Sequence, residues 1–271
     1  MSKRLFITLA ITYLVITLGV TVFDSFVAAQ SLSNLSRTQL DLDKQRQRLQ
    51  SSDPEERRDA LMKLSSMRTA SASRLALPAL SDPMPMVRAV AAKSILSVGP
   101  EECVSALTPL LSDKDEFVRR ETAYALGLTH SRSATQPLGN LLLSDKDDGV
   151  RSAAAVALGQ IKDESAVVVL SSVLAPELTA AGKGKGKIER NAFVLRAAAR
   201  SLGEIRSRAG TQALTAALSN EKNSFDVRRE AALSLGAIGD PTAVPSLTAA
   251  ATSEDPYLAR AASESLRKIP H

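Results

Sequence analysis

The chain repeats itself, and that repeat constrains everything else. VRSAAAVALGQI from Val150, VRREAALSLGAI from Val227 and VRRETAYALGLT from Val118 align without gaps. Further copies start at Glu56, Val87, Val194 and Leu258, so successive anchors are 31, 31, 32, 44, 33 and 31 residues apart. A unit of that length is one supersecondary motif that cannot bury its apolar face alone. Only stacking against its neighbours gives it a core.

Within each unit the pattern is helical. In the fourth, Val150, Ala154, Leu158 and Ile161 fall on one face of a helix. The position four after the anchor is small throughout (Ala60, Ala91, Thr122, Ala154, Ala198, Ala231 and Ala262), which lets a neighbouring helix come close. Asp53, Asp82, Asp113, Asp145 and Asp255 stand just upstream as N-cap signals, and Gly127, Gly159, Gly203 and Gly236 near the helix end ease close packing or termination. A polar turn and a second apolar stretch follow, as in Cys103–Leu111, Ala166–Leu174 and Ala213–Leu218. The chain has no Trp and 3% aromatic residues, which argues against a β-sandwich. The expected fold is all-α, a right-handed solenoid of about seven helical hairpins over 53–271, with the last hairpin lacking its second helix. An insertion at 175–189 stretches the fourth gap.

The pattern D-x-x-V-R-x-x-A-x-x-A-L-G-x-I resembles the HEAT-repeat family, most closely the phycobilisome-lyase-type HEAT-like repeat. The resemblance implies that the Arg after each anchor ties successive repeats together, a role falling to Arg57, Arg88, Arg119, Arg151 and Arg228. Leu195 and Ala259 break that pattern. It also implies that the second helices line the concave face. There the polar residues are Ser105, Thr108, Gln136, Asn140, Ser171, Ser172, Gln212, Thr215 and Thr248, with hardly any Lys or Arg.

Residues 1–30 read as a signal peptide or signal anchor. Lys3 and Arg4 precede an uncharged run from Leu5 to Phe23, long enough as a helix (about 28 Å) to cross a bilayer core. Val27-Ala28-Ala29 before Gln30 suits cleavage; the length of the run suits an uncleaved anchor through residues 5–23. The repeats are then expected outside the cytoplasm. They would be anchored to an inner membrane and facing the periplasm, or soluble in the periplasm or secreted if the chain is cut after Ala29. Residues 31–52 form a polar helical linker or cap, in which Leu32, Leu35, Leu42 and Leu49 give too few heptads for a coiled coil.

Catalytic candidates are few. His130 lies in a turn, His271 is the last residue and Cys103 sits at a core position, so neither an enzyme, a metal site nor a cofactor is expected. Candidate partner-binding residues are Lys183, Lys185 and Lys187 in a Gly-Lys loop suited to an anionic contact, together with Gln136, Asn140 and Gln212. Met86, Phe117, Phe193 and Tyr257, each one before an anchor, are read chiefly as inter-repeat packing. The net charge of +5 is modest, and a groove without basic residues disfavours nucleic acid. The expected function is an exported, membrane-tethered scaffold that binds a protein. The alternative is a bilin-lyase-like enzyme or chromophore-binding subunit.

Overall fold

The structure is a computed structural model and describes residues 37–175 and 191–270. Helix α1 runs through 37–48. The first helices of the units are α2 (Pro54–Met67), α4 (Pro85–Ser94), α6 (Glu116–Leu128), α8 (Asp148–Ile161), α10 (Ala192–Ile205), α12 (Phe225–Ile238) and α14 (Pro256–Leu266). Between them lie the second helices α3 (Ala70–Ala76), α5 (Pro100–Leu107), α7 (Thr135–Ser144), α9 (Ala166–Leu174), α11 (Thr211–Ser219) and α13 (Val244–Ala250). Among the described residues there is no strand, and the array is the α-solenoid that the periodicity predicts. The signal or anchor at 1–30, the Gly-Lys loop and His271 lie outside the described residues. No helix among the described residues is long and apolar enough to cross a membrane.

The anchors form the spine of the core. Val87, Val118, Val150, Val194, Val227 and Leu258 are buried, and so is the small residue four later in every unit. Glu56 departs from this and is exposed, its unit's core beginning at Ala60, Leu61 and Leu64. Helix α1 closes this end, with Leu42 and Gln45 buried and Leu49 against the same core.

Successive first helices approach through small residues. The glycine nine after each anchor meets the residue seven after the next: Gly127 lies against Ala157, Gly159 against Ser201, Gly203 against Ser234 and Gly236 against Ser265. A Cβ on Gly203 would sit 2.5 Å from the Ser234 Oγ. Two serines in this seam also donate across it, Ser94 Oγ to the Leu61 carbonyl (3.0 Å) and Ser201 Oγ to the Ala155 carbonyl (2.8 Å). The seam runs unbroken from α8 to α10, so the 44-residue gap adds a connection without opening the stack.

The arginine ladder is regular over three joints and then changes. Arg57, Arg88 and Arg119 each make a two-pronged pair with the Asp that precedes the next unit: Asp82, Asp113 and Asp145, at 2.6–2.9 Å. A third nitrogen of each donates to a carbonyl upstream of its own helix, such as Asp82 O for Arg88 (2.8 Å). These aspartates are therefore inter-repeat acceptors rather than helix caps, and Asp115 and Asp147 take the capping role for α6 and α8. Arg228 does not continue the pattern, and the acceptor place for Arg151, residue 189, lies outside the described residues. Arg151 bonds Asp148 of its own helix, and Asp148 accepts from Asn191 at the start of α10. Arg228 donates to the Leu218 carbonyl (2.9 Å), because Ser253 stands where its acceptor Asp would be.

A second set of links joins the starts of the second helices. Thr135 Oγ1 donates to Asp163 (2.9 Å), Thr211 Oγ1 to Asp240 (3.0 Å) and Ser131 Oγ to Glu101 (2.6 Å). The Thr211–Asp240 bond is buried. Thr211→Val is expected to lower stability by about 1–3 kcal/mol, because it leaves a buried carboxylate oxygen short of a donor; a thermal melt reads this directly.

Candidate functional site

The two layers of the stack are not equivalent. Successive first helices pack directly along their length, while successive second helices touch far less. A stack with one layer more tightly spaced bends toward that layer, so the first helices line the concave side. A groove of about 680 Å³ opens there, walled by Arg200 and Glu204 of α10, by Arg206 just after it and by Glu230, Leu233 and Ala237 of α12, with Lys162 at its edge. None of its lining residues comes from a second helix.

This reverses the assignment of the concave face to the second helices. Gln136 and Asn140 are exposed on α7 and hydrogen-bond one another (2.9 Å), and Gln212 is exposed on α11, all on the outer layer. Thr108, Ser172 and Thr248 are occupied within their own helices, donating to the carbonyls of Val104, Val169 and Val244. The structure does not bring these residues to the groove.

The apolar row is only partly covered, although Met86 and Tyr257 do meet the preceding unit, through Arg58 and Arg229. Met86 is 47% exposed, Phe117 39%, Phe193 66% and Tyr257 67%. Phe225 joins them at 48%, although it stands two before its anchor and so escaped the alignment. All four rings carry an arginine: Arg120 over Phe117, Arg196 over Phe193, Arg228 over Phe225 and Arg229 over Tyr257, at 5.2–5.9 Å from the ring centroids. A guanidinium laid on a ring keeps N–H edges free for a carboxylate while the ring still offers apolar area.

At the other end of the first helices runs a row of left-handed residues. The position twelve after the anchor holds Arg68 (φ 50°), His130 (52°), Lys162 (58°) and Arg206 (58°), with positive-φ glycines, Gly99 and Gly239, in two further units. A side chain in that conformation costs roughly 1–2 kcal/mol relative to glycine. A cation at a helix C-terminus recovers about 0.3–1 kcal/mol. His130 also spans a joint, its Nδ1 donating to the Gln160 carbonyl (2.9 Å). Lys162 and Arg206 both reach the groove and have no ion pair among the described residues.

Acidic side chains are interleaved with the basic ones. Glu121 takes Lys93 (2.6 Å) across a joint, Arg200 lies between Glu204 (4.0 Å) and Glu230 (3.7 Å), and Glu264 takes Arg260 (2.8 Å). Cys103 is buried with its thiol on the Ile95 carbonyl, and burial pushes its pKa up, so it is core and a poor nucleophile.

Comparison with known proteins places this architecture. The family model for HEAT repeats matches residues 42–127, 76–159, 104–178 and 189–267. No curated protein sequence matches the chain. Among solved structures, the Escherichia coli protein YibA is similar at 20% identity and a TM-score of 0.57, over 84% of this chain and 82% of that one. The complex of CpcE and CpcF of phycocyanin lyase from Nostoc sp. PCC7120 is similar at 23% identity and 0.49, over 83% and 86%. Human deoxyhypusine hydroxylase in complex with glycerol is similar at 19% and 0.40, over 87% and 98%. The expectation that the chain is not an enzyme is corrected here, since a hydroxylase and a lyase are among the structures sharing this fold and the fold does not decide against catalysis. Matched across both described segments, the chain belongs to the HEAT-repeat family.

Proposed function

We propose that this chain is a scaffold that holds another protein along its first-helix face. The observation that carries the reading is the row of exposed Met86, Phe117, Phe193, Phe225 and Tyr257 along the starts of the first helices, four of them under an arginine. Large aromatics and Arg are the residue types that dominate binding energy at protein interfaces. Nucleic acid is disfavoured on a new ground, because Glu121, Glu204, Glu230 and Glu264 interrupt any track of phosphate contacts. A photo-cross-linking amino acid placed at Phe193 and, separately, at Gln136 tests the face in cells. A discrete protein adduct from position 193 and none from 136 is the expected result. Adducts from 136 alone would return the binding surface to the outer layer.

The leading run from Leu5 to Phe23 supports export, with the repeats presented outside the cytoplasm and the run serving as the tether. N-terminal sequencing of the membrane fraction tests the tether, which a mature chain beginning at Gln30 would remove.

A further inference from the structure

We propose that the edge of the stack where the first helices end lies on an anionic lipid surface, the bilayer that holds the run from Leu5 to Phe23. The proposal rests on the reading of that run as a tether and adds how the tethered array is oriented.

Charged side chains sort by edge. Every first helix starts at one edge, where the aromatic row and the arginine ladder stand, and ends at the other. At the starts the cations are engaged: Arg57, Arg88 and Arg119 in ion pairs, Arg120, Arg228 and Arg229 on rings. Lys114 and Lys146 stand there with an aspartate on either side in sequence. At the ends, Arg68, Arg132, Arg208, Arg267 and Lys268 are exposed. Like Lys162 and Arg206, they have no ion pair among the described residues. Carboxylates at this edge are engaged within the stack. Asp163 and Asp240 accept from Thr135 and Thr211, Glu101 from Ser131 and Glu164 from Ser207, while Glu102 takes Arg74 (3.4 Å). What this edge turns outward is unmatched positive charge.

The chain also enters at this edge. Helix α1 leads into α2 through residues 49–53, and Arg48 lies 3.9 Å from Asp59, so the last turn of α1 is beside the first turns of α2. With Leu42 and Gln45 buried on the same core, α1 runs back along α2 for about 18 Å. Its first residue, Arg37, is thereby carried to the edge that holds Arg68. Residues 24–36 alone separate Arg37 from the apolar run, a link of at most about 45 Å.

A row of unmatched cations tied this near to a bilayer meets anionic headgroups first. Each cation at such a surface strengthens attachment about fivefold, and the attraction decays within about 10 Å at 0.1 M salt. The aromatic row lies a helix length away, about 21 Å along the 14 residues of α2, and is left facing a protein partner.

The full chain reconstituted into vesicles tests this, with a fluorophore attached through Ala209→Cys or through Glu221→Cys. These exposed positions stand beyond opposite ends of α11, and Cys103 is buried away from the label. The quencher is a lipid with a nitroxide on its headgroup, in phosphatidylcholine with or without phosphatidylglycerol. With phosphatidylglycerol, quenching at 209 is expected to exceed that at 221 about threefold or more, and the difference to close in phosphatidylcholine alone or in about 0.5 M salt. Arg68→Gln, Arg132→Gln and Arg208→Gln together should close it at an unchanged melting temperature, whereas Lys114→Gln with Lys146→Gln should not. Equal quenching at the two positions, stronger quenching at 221, or a difference indifferent to lipid charge would overturn the proposal. If the chain still floats with the vesicles after an alkaline wash in any of those cases, only the orientation falls. Release by the wash removes the tether reading as well.

Discussion

Gly203→Val is expected to destabilise the C-terminal half of the array by about 3 kcal/mol. The new Cβ would stand 2.5 Å from Ser234 Oγ and 3.0 Å from Ser234 Cα. Rotating the serine relieves the first contact; the second is backbone, so α10 and α12 must move apart. Because each unit is stabilised only by its neighbours, widening this joint weakens the coupling of units six and seven to the rest. Urea denaturation followed by circular dichroism should show a lower midpoint and a broader transition. Gly203→Ala is informative about which effect wins. Alanine is better than glycine in a helix by about 1 kcal/mol, yet the same short contacts arise, so a net loss is expected. Gly139→Ala is the counterpart, since its Cβ would lie 3.6 Å from Val169 Cγ1 in ordinary contact. There the helix preference should prevail, with a gain of about 0.5–1 kcal/mol. A neutral Gly203→Val would mean that the first helices are not held together by this seam.

Arg88→Ala is expected to cost about 3–5 kcal/mol, because it strands the Asp113 carboxylate at a nearly closed joint. The side chains of Arg88 and Asp113 are 9% and 11% exposed, and the pair has two bonds of 2.7 and 2.8 Å. Arg260→Ala, at a pair whose arginine is 80% exposed, should change little. Replacing both Arg88 and Asp113 by apolar residues of similar size should recover much of the loss.

The pair also predicts a pH dependence. Burial by itself would raise the pKa of Asp113, but the Arg88 guanidinium and the Asp115 backbone N–H outweigh it and hold the group below the ordinary carboxylate value. Asp82 and Asp145 are lowered in the same way by Arg57 and Arg119. A lowered folded-state pKa means the unfolded chain takes up protons first as pH falls. The ladder's contribution is therefore complete above the unfolded value of about 3.9 and disappears as pH drops through the lower folded values. Stability of the intact chain should fall steeply in that acid range. In Arg88→Ala the stranded Asp113 protonates more readily, so the gap between the two proteins should narrow there. A gap independent of pH would show that the arginine acts through packing alone.

Much of this molecule was legible before any coordinates. The anchors from Val87 to Leu258 became the core, the small residues four later became buried contacts, and three arginines found the aspartates the family pattern implies. These features are local or repeat at a fixed spacing, so a single sequence carries them. The break in the ladder was visible too, in Leu195 and in Lys222 and Ser253 at the acceptor places, although how Arg228 is engaged instead was not.

The candidate site was another matter. Composition drew attention to the polar second helices and to the Gly-Lys loop. The exposed aromatic row was read as packing, and Phe225 dropped out because it is offset by one residue from the others. The left-handed rim was missed because a backbone angle has no letter in the sequence.

What the sequence determined by itself is the unit: two helices, one apolar face each, and the obligation to stack. Which layer becomes the inside of the curve is a difference between two inter-repeat spacings, set by what each small residue meets in the next unit. Gly203 and Ser234 can each be read as small from their letters; that they touch, and so draw the first helices closer than the second, only the tertiary structure decides.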